Sequence, residues 1–145
     1  MRPIDGYRLA DGTRVPGVTT ICNVAKDSGG LIHWSWSLGM EGKDYRAVRD
    51  AAASAGTLAH HAVEAWIRGK PFEMTGDPEI VAKGQTAFDA FLEWAEQTRL
   101  KATHPEVSLV SEQYRVGGTF DALLVSNKRA MGAWKYSDGL YPEML

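Results

Sequence analysis

Residues 117–125 read GGTFDALLV, and residues 131–139 read MGAWKYSDG. Both are short apolar runs with the length and alternation of strands. Each is interrupted by a charge, Asp121 in the first and Lys135 in the second. Ser126-Asn127-Lys128 between them is a turn signal, so the pair reads as a hairpin. Alternation sets Thr119, Asp121, Leu123 and Val125 on one face of the first strand, and Met131, Ala133 and Lys135 on one face of the second. If Ser126 pairs with Ala130, Asp121 lies opposite Lys135 and Leu123 opposite Ala133. A one-residue slip turns the two charges to opposite faces. Spacing alone describes a surface salt bridge as well as it describes a site.

Working outward, the stretch 106–116, EVSLVSEQYRV, adds a third strand after Pro105, separated from the next by Gly117-Gly118. Glu112 then sits one strand before Asp121. The earlier two thirds of the chain read as helices. Asp77-Pro78 starts the clearest one, with Ile80, Val81, Ala87, Phe88, Phe91, Leu92 and Ala95 on one face to about Leu100. The alanine-rich stretch 43–69 is strongly helical and closed by Gly69; Gly56 divides it or marks close packing. Residues 18–26 form a helix capped by Thr19 or Thr20, and residues 31–42 a second, closed by Gly39 or Gly42. Residues 7–15, YRLADGTRV, alternate around Asp11-Gly12, a hairpin signal. The expectation is one α+β domain over residues 1–145, its helices packed on a small mixed or antiparallel sheet. The stretch LYPEML follows directly on the last strand. An edge left there predicts a shortened form of a longer domain, or self-association of the edge.

Composition bounds the partners. With 145 residues, 44% hydrophobic and 23% charged, the chain has the balance of a soluble globular domain. It has no apolar run long enough for a membrane span, and its first residues carry no apolar leader core, so a cytoplasmic protein is expected. The net charge of -2 argues against coating nucleic acid by bulk charge, though a local basic groove remains compatible with it. Cys22, the single cysteine, reads as a buried thiol, and most of the five tryptophans as core.

Another candidate cluster lies in GTLAHHAVEAW, residues 56–66, where His60 and Glu64 share a helix face at i and i+4. An imidazole and a carboxylate so placed suit a divalent metal, and equally an ordinary exposed pair. His61 points away from His60 and cannot join it on one ion. His33 and His104 have no acid at ligand spacing.

Taken in order, these pieces resemble a known family. GTLAHHAVEAW resembles the Gly-Thr-x-x-His helix of RecB-like nucleases in the PD-(D/E)XK superfamily. VSEQYRVGGTFDAL resembles their strand with the metal-binding aspartate, and AWKYSDGLYPEML their Asp-Trp-Lys-Thr-Ser strand. The opening DGTRVPGVTTICNVAKDSGGLIHW is similar to phage-encoded members. The resemblance implies an α/β/α, restriction-endonuclease-like fold and phage-type exonuclease chemistry on DNA, with contacts to the backbone and little base specificity. It implies His60, Asp121 and the Trp134 backbone carbonyl as ligands of Mg²⁺ or Mn²⁺, and Asp121 and Lys135 as the catalytic pair. Lys135 would activate water and offset phosphate charge, with Glu64 and Glu112 as accessory acids. Members carry Asp or Glu where this chain has Ala133, and continue into a further helix. Asp138, three residues beyond the lysine in a turn, cannot simply substitute, and Glu143 is a remoter candidate. The expectation is therefore a nuclease domain with an incomplete acid-x-Lys motif. The alternatives are a non-catalytic nucleic-acid-binding relic and an unrelated α+β interaction domain, and self-association is open in each.

Overall fold

The structure, a computed structural model, describes residues 5–26, 28–99, 101–125 and 129–135. It is a mixed α and β arrangement, with four helices and two small antiparallel sheets among the described residues. The first sheet is the expected hairpin. Strand β1 (Tyr7–Arg8) pairs with β2 (Arg14–Val15) in the register Tyr7↔Val15. Gly12 takes a φ of +85° in the turn, a conformation suited to glycine. The Thr13 N–H donates to the Asp11 carboxylate at 2.8 Å and holds that carboxyl below its ordinary range.

Helix α1 (Val18–Ala25) starts directly after Gly17, with no side-chain cap. The expected Thr19 or Thr20 cap is thus incorrect. Both threonines lie in the first helical turn, and the Thr20 N–H is taken by the Gly17 carbonyl. Gly29 and Gly30 open helix α2 (Gly29–Met40), and Gly42, with a φ of +73°, closes it. Helix α3 (Tyr45–Ile67) is capped by the Asp44 side chain and runs through Gly56 without a break. It ends at Gly69, where a φ of +64° lets the Lys70 N–H reach the Ala65 carbonyl at 2.9 Å. Helix α4 (Pro78–Thr98) has the expected start: the Asp77 carboxylate accepts the Glu79 and Ile80 N–H groups, and Pro78 needs no such partner. Its end falls at Thr98, with Arg99 left-handed.

Helices α3 and α4 approach through small residues. Ala55, Ala59 and Ala62 are buried on α3. A Cβ on Gly84 of α4 would stand 3.2 Å from the Leu58 Cβ and 3.4 Å from the Ala55 carbonyl oxygen. A side chain there would require its neighbours to give by a few tenths of an ångström, so glycine suits this close approach of the two helices.

The second sheet has the order β3 (Lys101–Ser111), β4 (Val116–Val125), β5 (Arg129–Gly132), all antiparallel. Two expectations fail here. Strand β3 begins well before Pro105 and absorbs that proline through a register shift between Thr103 and Pro105. The turn to β4 is residues 112–115 rather than Gly117-Gly118, which lie inside β4. The reason is Tyr7: a Cβ on Gly117 would overlap the Tyr7 ring. The Gly117 N–H also donates to the Pro16 carbonyl at 3.0 Å, seating the N-terminal hairpin on β4.

The sheet's core is Ala102, Ala122 and Leu124, with Ile67, Trp94 and Trp134 packed against it. Phe91 is buried beside them, its ring edge-on to Trp66 at 5.5 Å and to Trp134 at 5.1 Å. The tryptophans are less buried than composition suggests: Trp36 is 60% and Trp66 45% exposed. Cys22 is exposed, not buried. Helices α1 and α2 contribute no buried residue and leave Val24, Ile32, Trp36 and Met40 in solvent. Among the described residues no helix is long and apolar enough to cross a membrane. The Ser126–Lys128 turn and the stretch from 136 onward, including LYPEML, lie outside the described residues.

The Tyr7–Gly117 contact is testable by denaturant unfolding. Gly117→Ala is expected to destabilise by about 1–3 kcal/mol, as overpacking does. In a Tyr7→Gly background, which also removes the Tyr7 Cβ that a Gly117 Cβ would overlap, the same change is expected to cost about 0.5 kcal/mol or less, the coupling of two contacting residues.

Candidate functional site

Asp121 lies on β4 between Phe120 and the buried Ala122. The inward packing of Ala122 and Leu124 fixes the strand, and with it the carboxylate. On α3, buried Ala59, Ala62 and Val63 fix the helix, leaving His60 half-buried at its boundary. The two side chains meet: His60 Nδ1 stands 3.5 Å from Asp121 Oδ1, with the side chains 34% and 23% exposed. The other oxygen, Oδ2, accepts the Trp134 backbone N–H at 2.6 Å. One carboxylate thus joins α3, β4 and the chain leaving β5.

The hairpin register differs from the expected one by two residues. Val125 pairs with Arg129, Leu124 with Ala130 and Ala122 with Gly132. Continued one step, this register sets Ala133 opposite Asp121; two steps further, Lys135 falls opposite Thr119. Because side chains alternate, a shift of two keeps Lys135 on the face it was expected to share with Asp121. The ladder itself stops at Gly132, and beyond it the Trp134 N–H goes to the Asp121 carboxylate.

Lys135 and His60 line one cleft of about 220 Å³ between α3, α4 and the end of β5. Phe91, Trp94 and Trp134 supply its aromatic wall. Three of the expected residues, His60, Asp121 and Trp134, are therefore in direct contact, and Lys135 shares the cleft. The approach of Trp134 is made through its N–H, whereas the resemblance implied its carbonyl.

The accessory acids are placed elsewhere. The Glu64 Oε1 is held by Arg68, at 3.0 Å from Nε and 2.9 Å from the terminal nitrogen. Glu112 is not on a strand beside Asp121. It lies in the turn after β3 and accepts the Ala10 N–H at 2.7 Å. Val116, where β4 begins, is already about 17 Å from Asp121 at about 3.4 Å per residue. His61 points to another side of α3, edge-on to Phe72. Among the described residues no group of three or more His, Cys, Asp and Glu side chains is gathered for a metal. Asp138 and Glu143 lie outside the described residues.

Sequence reasoning missed a chain of hydroxyls beside Asp121. Thr119 Oγ1 stands 2.9 Å from the Tyr7 hydroxyl and 2.7 Å from Ser108 Oγ. Its signal was present, since Thr119 shares the Asp121 face by alternation. Tyr7 and Ser108 come from distant segments and had no local mark.

The Asp121 contacts carry an expected outcome. Asp121→Ala leaves the Trp134 N–H without its charged acceptor and is expected to cost about 1–3 kcal/mol in urea unfolding. Asp121→Asn keeps an acceptor oxygen there and is expected to cost about half as much or less. Comparison of the chain with protein-family models, curated proteins and solved structures found no match to any of them.

Proposed function

We propose that the chain is a metal-dependent DNA nuclease or exonuclease domain of the RecB-like, PD-(D/E)XK kind, with a restriction-endonuclease-like fold and an incomplete acid-x-Lys motif. It would act in the cytoplasm on DNA in recombination, repair or processing, contacting the backbone with little base specificity. The observation that carries this is the 3.5 Å approach of His60 to Asp121, from opposite halves of the chain, beside a cleft that Lys135 also lines. An accidental match of motifs has no reason to bring these residues together, which weighs against an unrelated interaction domain.

The donor set suits a weak Mg²⁺ or Mn²⁺ site. Two neighbouring ligands of an octahedral ion at about 2.0–2.1 Å lie about 3 Å apart, close to the separation of His60 Nδ1 and Asp121 Oδ1. Such ions keep several waters and are held by one or two carboxylates. His60 and Asp121 would hold it, with the Trp134 carbonyl as a further donor. When bound, the ion supplies Lewis acidity to a phosphate oxygen and lowers the pKa of bound water. Asp121 is oriented for this by the Trp134 N–H. Lys135 offsets charge on the phosphate and positions the attacking water. Ala133, opposite Asp121 in the continued register, leaves that position without a carboxylate.

A specific observation favours a second reading, a non-catalytic nucleic-acid-binding relic. Both Asp121 oxygens already have protein partners, and no third acid joins them among the described residues. The two readings part on restoration. With Mn²⁺ and linear DNA, Ala133→Asp is expected to raise the cleavage rate by on the order of 10²-fold, the scale of a lost positioning ligand. Equal rates for the two proteins would sink the proposal. Calorimetry showing DNA binding with no Mg²⁺ or Mn²⁺ site would favour the relic.

A further inference from the structure

The cleft beside His60 is mostly apolar, and the phosphate chemistry proposed above does not use that part. At about 220 Å³ it falls below the roughly 300–1,000 Å³ of sites for drug-sized ligands. It has room for one small ring system. Phe91, Trp94 and Trp134 form its wall, with Trp134 edge-on to Phe91 at 5.1 Å and to Trp94 at 6.3 Å. Ala59, Ala87 and Ala90 line it too, and their short side chains keep the space open. The lining residues able to carry a positive charge are His60 and Lys135. His60 stands 3.5 Å from Asp121, and Lys135 follows Trp134, whose N–H Asp121 accepts.

An apolar cleft walled by aromatic rings, with a lysine in its lining, fits a ligand with an apolar ring and an attached anion. We infer that the cleft takes the base of a single nucleotide whose phosphate meets Lys135, a nucleoside monophosphate or the terminal unit of a DNA strand. The choice of a nucleotide rests on the nuclease reading, but binding needs neither metal nor cleavage. Aromatic walls accept any base, because every base has a π-face.

The test is titration of the protein with thymidine 5′-monophosphate, followed by tryptophan fluorescence and calorimetry. Saturable binding is expected. Ala90→Leu, at an exposed position of α4, and Ala87→Leu fill the slot and are expected to weaken it about tenfold or more, the scale of losing one stacking contact. Lys135→Gln is expected to weaken it as well. Several outcomes overturn the inference: no binding, unchanged affinity in both leucine variants, or equal affinity for thymidine, for inorganic phosphate, or for indole standing in for a protein side chain. Cleavage by Ala133→Asp without nucleotide binding would remove the slot and leave the nuclease reading intact. Nucleotide binding lost in Ala90→Leu, with no cleavage by Ala133→Asp, would support the slot and remove the nuclease reading.

Discussion

The Asp121 carboxylate is the point on which the described architecture turns. Its two oxygens reach partners in different elements, His60 on α3 and the Trp134 N–H beyond β5. The strand beneath it is held by Ala122 and Leu124, and the helix opposite by Ala59, Ala62 and Val63. The contact is therefore over-determined by packing on both sides. The Gly84 approach of α4 to α3 and the aromatic group of Phe91, Trp94 and Trp134 belong to the same system. They set the helix pair and the segment after β5 in register with the strand. A carboxylate so constrained is pre-oriented, which is a condition for chemistry and also for a purely structural clamp.

These two uses differ in what they ask of each oxygen. The bond to the Trp134 N–H is compatible with either, since a ligand carboxylate commonly accepts a hydrogen bond from its surroundings. The His60 contact is the divided one. At 3.5 Å it is longer than a strong hydrogen bond and longer than the roughly 3 Å between neighbouring ligands of an octahedral ion, so the distance alone serves both uses equally. The hydroxyl chain of Tyr7, Thr119 and Ser108 adds a polar neighbourhood on the same strand face, one residue pair from the carboxylate.

How much of this was legible in the sequence follows from whether the signal was local. Asp11-Gly12, Asp77-Pro78 and Gly69 act through their own backbone, and each was placed correctly. His60 and Asp121 were placed by motif order, and the fold brings them together. Gly117-Gly118 misled because a turn glycine and a strand glycine look alike; only the Tyr7 ring, more than a hundred residues away in sequence, distinguishes them. The β4–β5 register slipped by two because alternation defines a face but not a position along it. Pro105 argued against a strand, and β3 accommodates it by an irregularity that no local pattern marks. Glu112 was read onto a strand for the same reason that Gly117 was read into a turn. Shifting the turn to residues 112–115 moves both.

The corrected register sharpens the meaning of Ala133. Opposite Lys135, Asp121 would have been a neutralised pair wherever the second acid stood. In the register continued one step beyond Gly132 it faces Ala133, the position where, on the proposed nuclease reading, a second carboxylate would share an ion with it. With an acid there, the cluster of two carboxylates and Lys135 would carry net negative charge and favour a cation. With alanine, Asp121 and Lys135 cancel, and His60 can only add positive charge. On the proposed nuclease reading, a site of that balance would hold a divalent ion only weakly while keeping its attraction for phosphate. An acid at position 133 would then strengthen the ion's hold without disturbing the packing around Asp121, because position 133 is exposed and lies beyond the ladder's last pair.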